Sequence, residues 1–88
     1  MIDVKQAVSS AVSFISDVYA DAGLSDLRLE EAELSENGDL WQITLSYLIR
    51  TDPGELQLAL GLQGREYKIV SVDSRTGKFR SMKIRQLA

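Results

Sequence analysis

Residues 41–50, WQITLSYLIR, alternate between apolar and polar side chains more clearly than any other part of the chain. The apolar residues share one parity and are Trp41, Ile43, Leu45, Tyr47 and Ile49. Successive side chains of a β-strand point to opposite faces of the sheet, so this spacing predicts a strand with one apolar face. That face needs to be covered, and the N-terminal part of the chain can supply a helix for it.

Residues 4–22 show the spacing of one helical face. Their apolar positions are Val4, Ala7, Val8, Ala11, Ile15, Val18, Tyr19 and Ala22. Asp3, followed three residues later by Gln6, fits a capping box at the start of the helix, and Gly23 is placed to end it. A helix of this length is marginal in water, so we expect it to pack on the apolar face of residues 41–50.

Three further segments have strand patterns bounded by turn residues, namely 27–34, 65–72 and 78–87. The first changes face near Ala32 and Leu34, which predicts a β-bulge or a bent strand that curls round the helix. The last is rich in bases and its apolar residues do not keep one parity, which is typical of an edge strand protected by charge. Turns are expected around Gly38 and Gly77, since glycine adopts positive φ without strain.

The segment 55–64 has leucines at alternate positions, which fits either a third core strand or an exposed loop whose leucines bind a partner. Its candidate binding residues are Leu56, Leu58 and Leu60. The whole pattern predicts an α+β fold in a single domain, residues 1–88. One N-terminal amphipathic helix should pack on an antiparallel β-meander of four to five strands.

The composition excludes several classes of function. The chain of 88 residues contains no cysteine and no histidine, which excludes disulfides, thiolate chemistry, imidazole bases and the common zinc sites. The first twenty residues combine acidic and serine residues with the apolar ones and lack both the basic and the apolar region of a signal peptide. We therefore expect a cytoplasmic protein with no membrane contact.

Charge is distributed unevenly along the chain. Residues 1–55 contain eleven acids and three bases, whereas residues 56–88 contain two acids and seven bases. One interpretation is that the basic C-terminal strand lies beside the acidic strand and neutralises it. The alternative is that the basic strand stays available for a partner.

No arrangement of residues points to catalysis. Glu31 and Glu33 share a strand face and could act as an acid and base pair or hold a cation, but a solvated face explains them better. The oxygen ligands around Gly38 do not have the spacing of a calcium loop. We expect no enzymatic activity, no cofactor and no bound metal.

The candidate binding residues in the C-terminal strand are Lys78, Phe79, Arg80, Lys83 and Arg85. Basic side chains with an aromatic residue among them fit an acidic protein surface, and this protein partner is the leading hypothesis. A homodimer that pairs through residues 55–63 or through an edge strand is the second hypothesis. Nucleic acid, with Phe79 available for stacking, is the third, because a net charge of -3 disfavours it.

Three segments follow the predicted helix in order, namely EEAEL at 30–34, WQITL at 41–45 and YKIVSVDSRTGK at 67–78. With the helix, they resemble the PepSY-type domains and, more broadly, the cystatin-like folds with a helix on a sheet. The resemblance implies the same helix-on-sheet fold and, from the family, a role in restraining peptidases or in sensing, usually outside the cytoplasm. The chain departs from the family in the leucine-rich insert at 56–62 and in the lack of a signal peptide.

Overall fold

A computed structural model describes residues 1–49 and 65–85 and confirms the predicted α+β fold. Helix α1 spans Val4–Val18. The strands are β1 (Leu24–Leu34), β2 (Leu40–Ile49), β3 (Arg65–Asp73) and β4 (Phe79–Ile84). They form an antiparallel sheet in the order β1-β2-β3-β4, so the described chain is a meander with β1 and β4 at its edges. The segment 55–64, for which a strand or a loop was predicted, lies outside the described residues.

The helix begins as predicted and ends earlier than predicted. Asp3 accepts a hydrogen bond from the Gln6 amide at 2.8 Å, and the Asp3 amide donates to the Gln6 side chain at 3.0 Å, which completes the capping box. The helix ends at Val18, and Tyr19 leaves helical geometry with its ring against Tyr47. Gly23 does have positive φ, but it ends the turn that leads into β1 and is not the helix cap.

The core lies between α1 and the central strands, as the sequence predicted. On the helix Ala7, Ala11 and Ile15 are fully buried, one turn apart. On the sheet the fully buried apolar residues are Ile43, Leu45, Tyr47, Val70 and Val72. The apolar face of residues 41–47 therefore meets the helix.

Tyr47 closes one end of this core. Its hydroxyl donates to the Glu66 carboxylate at 3.3 Å. Burial, followed by the contact with Tyr19, raises the pKa of Tyr47 far above its ordinary value. Its hydroxyl therefore stays protonated and continues to act as a donor.

The two hairpin turns at the other end are joined to each other and to the N-terminus. The buried Ser74 donates its hydroxyl to the Gly38 carbonyl at 2.6 Å, and its carbonyl accepts from the Ile2 amide at 2.7 Å. The Trp41 indole donates to the Ile2 carbonyl at 3.1 Å. Gly38 and Gly77 have positive φ, as predicted for both turns. The start of the helix is thereby held over the start of β2.

β1 is irregular, but at positions other than predicted. It begins at Leu24, and its register shifts between Ser25 and Arg28 and again between Leu29 and Glu31. The predicted bulge near Ala32 and Leu34 is displaced upstream, because Glu30 is the extra residue that absorbs the change of parity. The last four residues of β1 then pair regularly with β2.

A register shift also explains the mixed parity of β4. Ser81 pairs with Ser71 and Phe79 pairs with Val72, which leaves Arg80 as the extra residue between them. Phe79 and Met82 can then both lie on the helix side, where Met82 packs against the core and Phe79 stacks on Phe14. Leu87 of the predicted strand lies outside the described residues.

Candidate protein-binding edges

The order of the strands places opposite charges at the two edges of the sheet. The β1 edge, Leu24–Leu34, contains four acids and one base, and the β4 edge, residues 78–85, contains four bases and no acid. The interpretation that the basic strand lies beside the acidic strand is wrong, because β2 and β3 separate them. In an open meander of four strands the first and last strands lie farthest apart.

Two of the four bases on the β4 edge have acidic partners. Arg80 forms an ion pair with Asp73 at 3.3 Å. Arg85 reaches across the sheet to the Glu31 carboxylate at 3.4 Å and donates to the Thr44 hydroxyl at 3.3 Å. Among the described residues, Lys78 and Lys83 form no ion pair. The structure thus divides the basic side chains into two that are compensated and two that are not.

Asp73 is the anchor for Arg80. Its carboxylate accepts from the backbone amides of Thr76 at 3.0 Å and Arg75 at 2.8 Å. These hydrogen bonds, the one from Thr76 first, lower the pKa of Asp73 below its ordinary value. The turn before β4 therefore keeps its negative charge to a lower pH than an ordinary aspartate would, and Arg80 keeps its partner over that range.

Phe79 is not a free stacking platform. Its ring lies nearly parallel to that of Phe14, with the centroids 3.7 Å apart, so the helix occupies one face of the ring. Phe79 is nevertheless 43% exposed, and Ile84 at the other end of β4 is 71% exposed. The β4 edge therefore combines free positive charge with exposed apolar surface.

A groove of about 380 Å³ adjoins the end of β4. It is lined by Arg65, Glu66, Tyr67, Lys68, Ile84 and Arg85. The Arg85 amide donates to the Tyr67 carbonyl at 3.0 Å, which extends the β3–β4 ladder one residue past Ile84. The β4 edge thus continues into a recess that mixes apolar and charged side chains.

A polar network covers the face of the sheet opposite the helix, and sequence reasoning missed it. Ser46 is fully buried although its side chain points away from the helix. Its hydroxyl donates to Glu30 at 2.5 Å and accepts from Arg65 at 2.7 Å. Arg65 also binds the carboxylate of Asp26. The signal available in the sequence was Ser46, a small polar residue at an outward-facing position of the most apolar strand.

The pair of acids predicted on one strand face is present, and one of them is engaged. Glu31 lies opposite Thr44 and Glu33 lies opposite Gln42, on the outward face. Glu31 binds Arg85, whereas Glu33 forms no ion pair with any of the residues that the structure describes. Within residues 1–49 and 65–85 no group of three or more possible ligands could hold a metal ion.

The chain matches no protein-family model, no curated protein and no solved structure. The resemblance to PepSY-type and cystatin-like domains therefore stays a prediction. In the described part of the chain, no helix is long and apolar enough to span a membrane. The candidate residues Leu56, Leu58 and Leu60 lie outside the described residues, so the structure describes only the basic residues and Phe79 of the predicted site.

Proposed function

We propose that this protein is a cytoplasmic protein-binding or regulatory module, an inhibitor or accessory subunit without catalytic activity. It binds an acidic, extended segment of its partner along β4. The observation that carries this proposal is an edge strand with two lysines, Lys78 and Lys83, that have no ionic partner in the described chain.

An edge strand offers a row of backbone groups with which another extended chain can pair. Such pairing supplies hydrogen bonds but little selectivity. Selectivity would come from the side chains, since Lys78 and Lys83 attract acidic residues and repel basic ones. The exposed side of Ile84 would add apolar contact. An acidic strand with apolar residues at alternate positions satisfies all three requirements.

A nucleic-acid function fits the geometry less well. One face of the Phe79 ring is already covered by Phe14, and the acidic β1 edge repels a phosphate backbone. Symmetric pairing of two β4 strands is also disfavoured, because their lysines would face one another. Binding of nucleic acid is one of the outcomes of the experiment below.

The experiment measures fluorescence anisotropy of a dye-labelled peptide, Glu-Val-Glu-Val-Glu-Val, titrated with the protein at low salt. We expect saturable binding that weakens as salt is added, because screening reduces the attraction between exposed charges. Lys83→Glu should weaken binding by about fivefold to tenfold, the effect of roughly 1 kcal/mol or slightly more. The matched control is Lys5→Glu, which makes the same change of charge at an exposed position on the helix.

Two further probes have the same dye, namely a Lys-Val peptide of equal length and a single-stranded oligothymidine. Neither should bind measurably. Equal binding of the acidic and basic peptides, or a preference for the oligothymidine, would overturn the proposal. So would an equal loss of affinity in the Lys5 and Lys83 variants, since that would reflect net charge and not the β4 edge.

A further inference from the structure

The two edges of the sheet are related in a way that allows one copy of the chain to continue the sheet of another. The meander has four described strands, so β1 and β4 run in opposite directions. A second copy moved sideways along the sheet would therefore place its β1 antiparallel to β4 of the first. Its helix would lie on the same face, and the hydrogen-bond ladder would be antiparallel throughout.

The regular parts of the two edge strands have the same length. Beyond its last register shift β1 runs from Glu31 to Leu34, and beyond its own shift β4 runs from Ser81 to Ile84. Each segment is four residues long and alternates between the helix side and the outward side. Each edge strand has a bulge, and beyond it each has a regular segment of four residues that can pair with the other.

The side chains of these stretches are complementary on both faces in one antiparallel register. If Glu33 lies opposite Lys83, Leu34 falls opposite Met82 on the helix side. Leu34 is 38% exposed. The same register places Ala32 opposite Ile84, which is 71% exposed, on the helix side. Glu31 falls opposite Arg85, but these two residues already form an ion pair within each chain, so Glu33 and Lys83 are the new charged pair. Charged pairs would then lie on the outward face and apolar pairs on the helix face.

Charge also selects against the symmetric alternatives. Two β4 edges would bring Lys83 and its basic neighbours together, and two β1 edges would bring Glu31 and Glu33 together. Like charges directly opposite each other destabilise a sheet. The pairing of β1 with β4 is the one arrangement of these edges in which charges attract.

We infer that the acidic segment bound by β4 is the β1 segment Glu31–Leu34 of a second copy of this chain. The inference rests on the proposed function and names its partner. The contact is heterologous, since each copy uses a different edge, so a pair of copies keeps one free acidic edge at one end and one free basic edge at the other. Copies therefore add head to tail into a chain whose length grows with concentration.

Sedimentation velocity over a range of concentrations at low salt tests the inference with three variants. They are Lys83→Glu, Glu33→Lys and the double variant Glu33→Lys/Lys83→Glu. The wild type should show a weight-average mass that rises with concentration and falls when salt is added. Each single variant should need about fivefold to tenfold more protein for the same mass, since it places like charges opposite each other. All positions changed are exposed, so thermal melts of the variants should match the wild type.

Recovery by a second reversal distinguishes this contact from other modes of association. The double variant has the net charge of the wild type and should assemble as the wild type does. An equimolar mixture of the two single variants should also recover assembly, since every junction then joins opposite charges.

Assembly of the wild type that neither single reversal weakens would overturn the inference, as would failure of the double variant and the mixture to recover it. A monomeric wild type at all concentrations would also overturn it. If that monomer still binds the acidic peptide, the proposed function stands and only the identity of the partner is wrong. If it does not bind the peptide, both fail.

Discussion

β2 is buried on both faces, but by different means. On the helix side, Ile43 and Leu45 are covered by the apolar face of α1. On the outward side, Thr44 and Ser46 are covered by charged side chains, chiefly those of Arg65 in β3 and of Arg85, which follows β4. The helix face therefore provides stability, whereas the outward face determines which charges are compensated within the chain and which remain for a partner.

The helix face should give the largest effect on stability. Ile43→Ala should lower the free energy of unfolding by about 2–5 kcal/mol, because it leaves a cavity in a fully buried site. Urea unfolding followed by circular dichroism measures it. The control is Val18→Ala, which removes an apolar side chain that is 50% exposed at the end of the helix. A similar loss in both variants would contradict the assignment of the core.

The outward network should give a smaller effect. Arg65→Met removes the donor to the buried Ser46 hydroxyl and one of the cationic partners of the Asp26 carboxylate, so we expect a loss of about 1–3 kcal/mol in urea unfolding. Arg28→Met is the matched control, because Arg28 is more exposed and contacts Asp26 alone. That control should cost less than about 1 kcal/mol. Equal losses of stability in the two variants would show that the network contributes no more to stability than an ordinary surface ion pair.

The helix start should contribute less than the core does. Asp3→Ala removes the side-chain acceptor of the capping box and should lower stability by about 1 kcal/mol in thermal or urea unfolding. Asp3→Asn keeps an acceptor oxygen and should stay close to the wild type. A loss in the asparagine variant as large as in the alanine variant would mean that charge, and not the cap, is responsible.

Asp73 should give the smallest effect, confined to acid pH. Its folded pKa lies below the usual value of 3.8, so its contribution to stability is present above that value and is lost as the pH falls toward the folded pKa. We expect the wild type to lose stability as the pH falls below about 4, and we expect Asp73→Asn to lose less over the same range. Urea midpoints of both proteins across this range measure the difference. Parallel curves for the two proteins would contradict this role of Asp73.

Sequence periodicity predicted the faces of the elements better than their irregularities. The alternation in residues 41–47 and the capping box at Asp3 are local patterns, and both are confirmed. Nothing local marks Glu30 and Arg80 as the extra residues in their strands, because a bulge shows only through the partner strand. The helix was predicted to be longer than it is, because Tyr19 fits the apolar spacing of the helical face. In the structure Tyr19 lies past the end of the helix and its ring contacts Tyr47.

The candidate site was predicted in part. The basic residues of β4 were identified from their charge, but which of them remain without a partner depends on contacts far apart in the sequence. Arg85 lies at the other edge of the sheet from Glu31 and contacts it through a long side chain. The alternation of apolar and polar residues does not predict a contact across that distance. The covering of Phe79 by Phe14 likewise depends on where the helix lies.

Nuclear magnetic resonance shift mapping tests the central claim, that β4 is the binding edge, most directly. The ¹⁵N-labelled protein is titrated with the unlabelled Glu-Val peptide. The protein concentration is kept low enough that association between copies of the chain is negligible. The account predicts that the amides of Phe79–Ile84 shift first and most strongly, while those of α1 stay in place. Shifts centred on β1 or on the helix, with β4 unchanged, would contradict it.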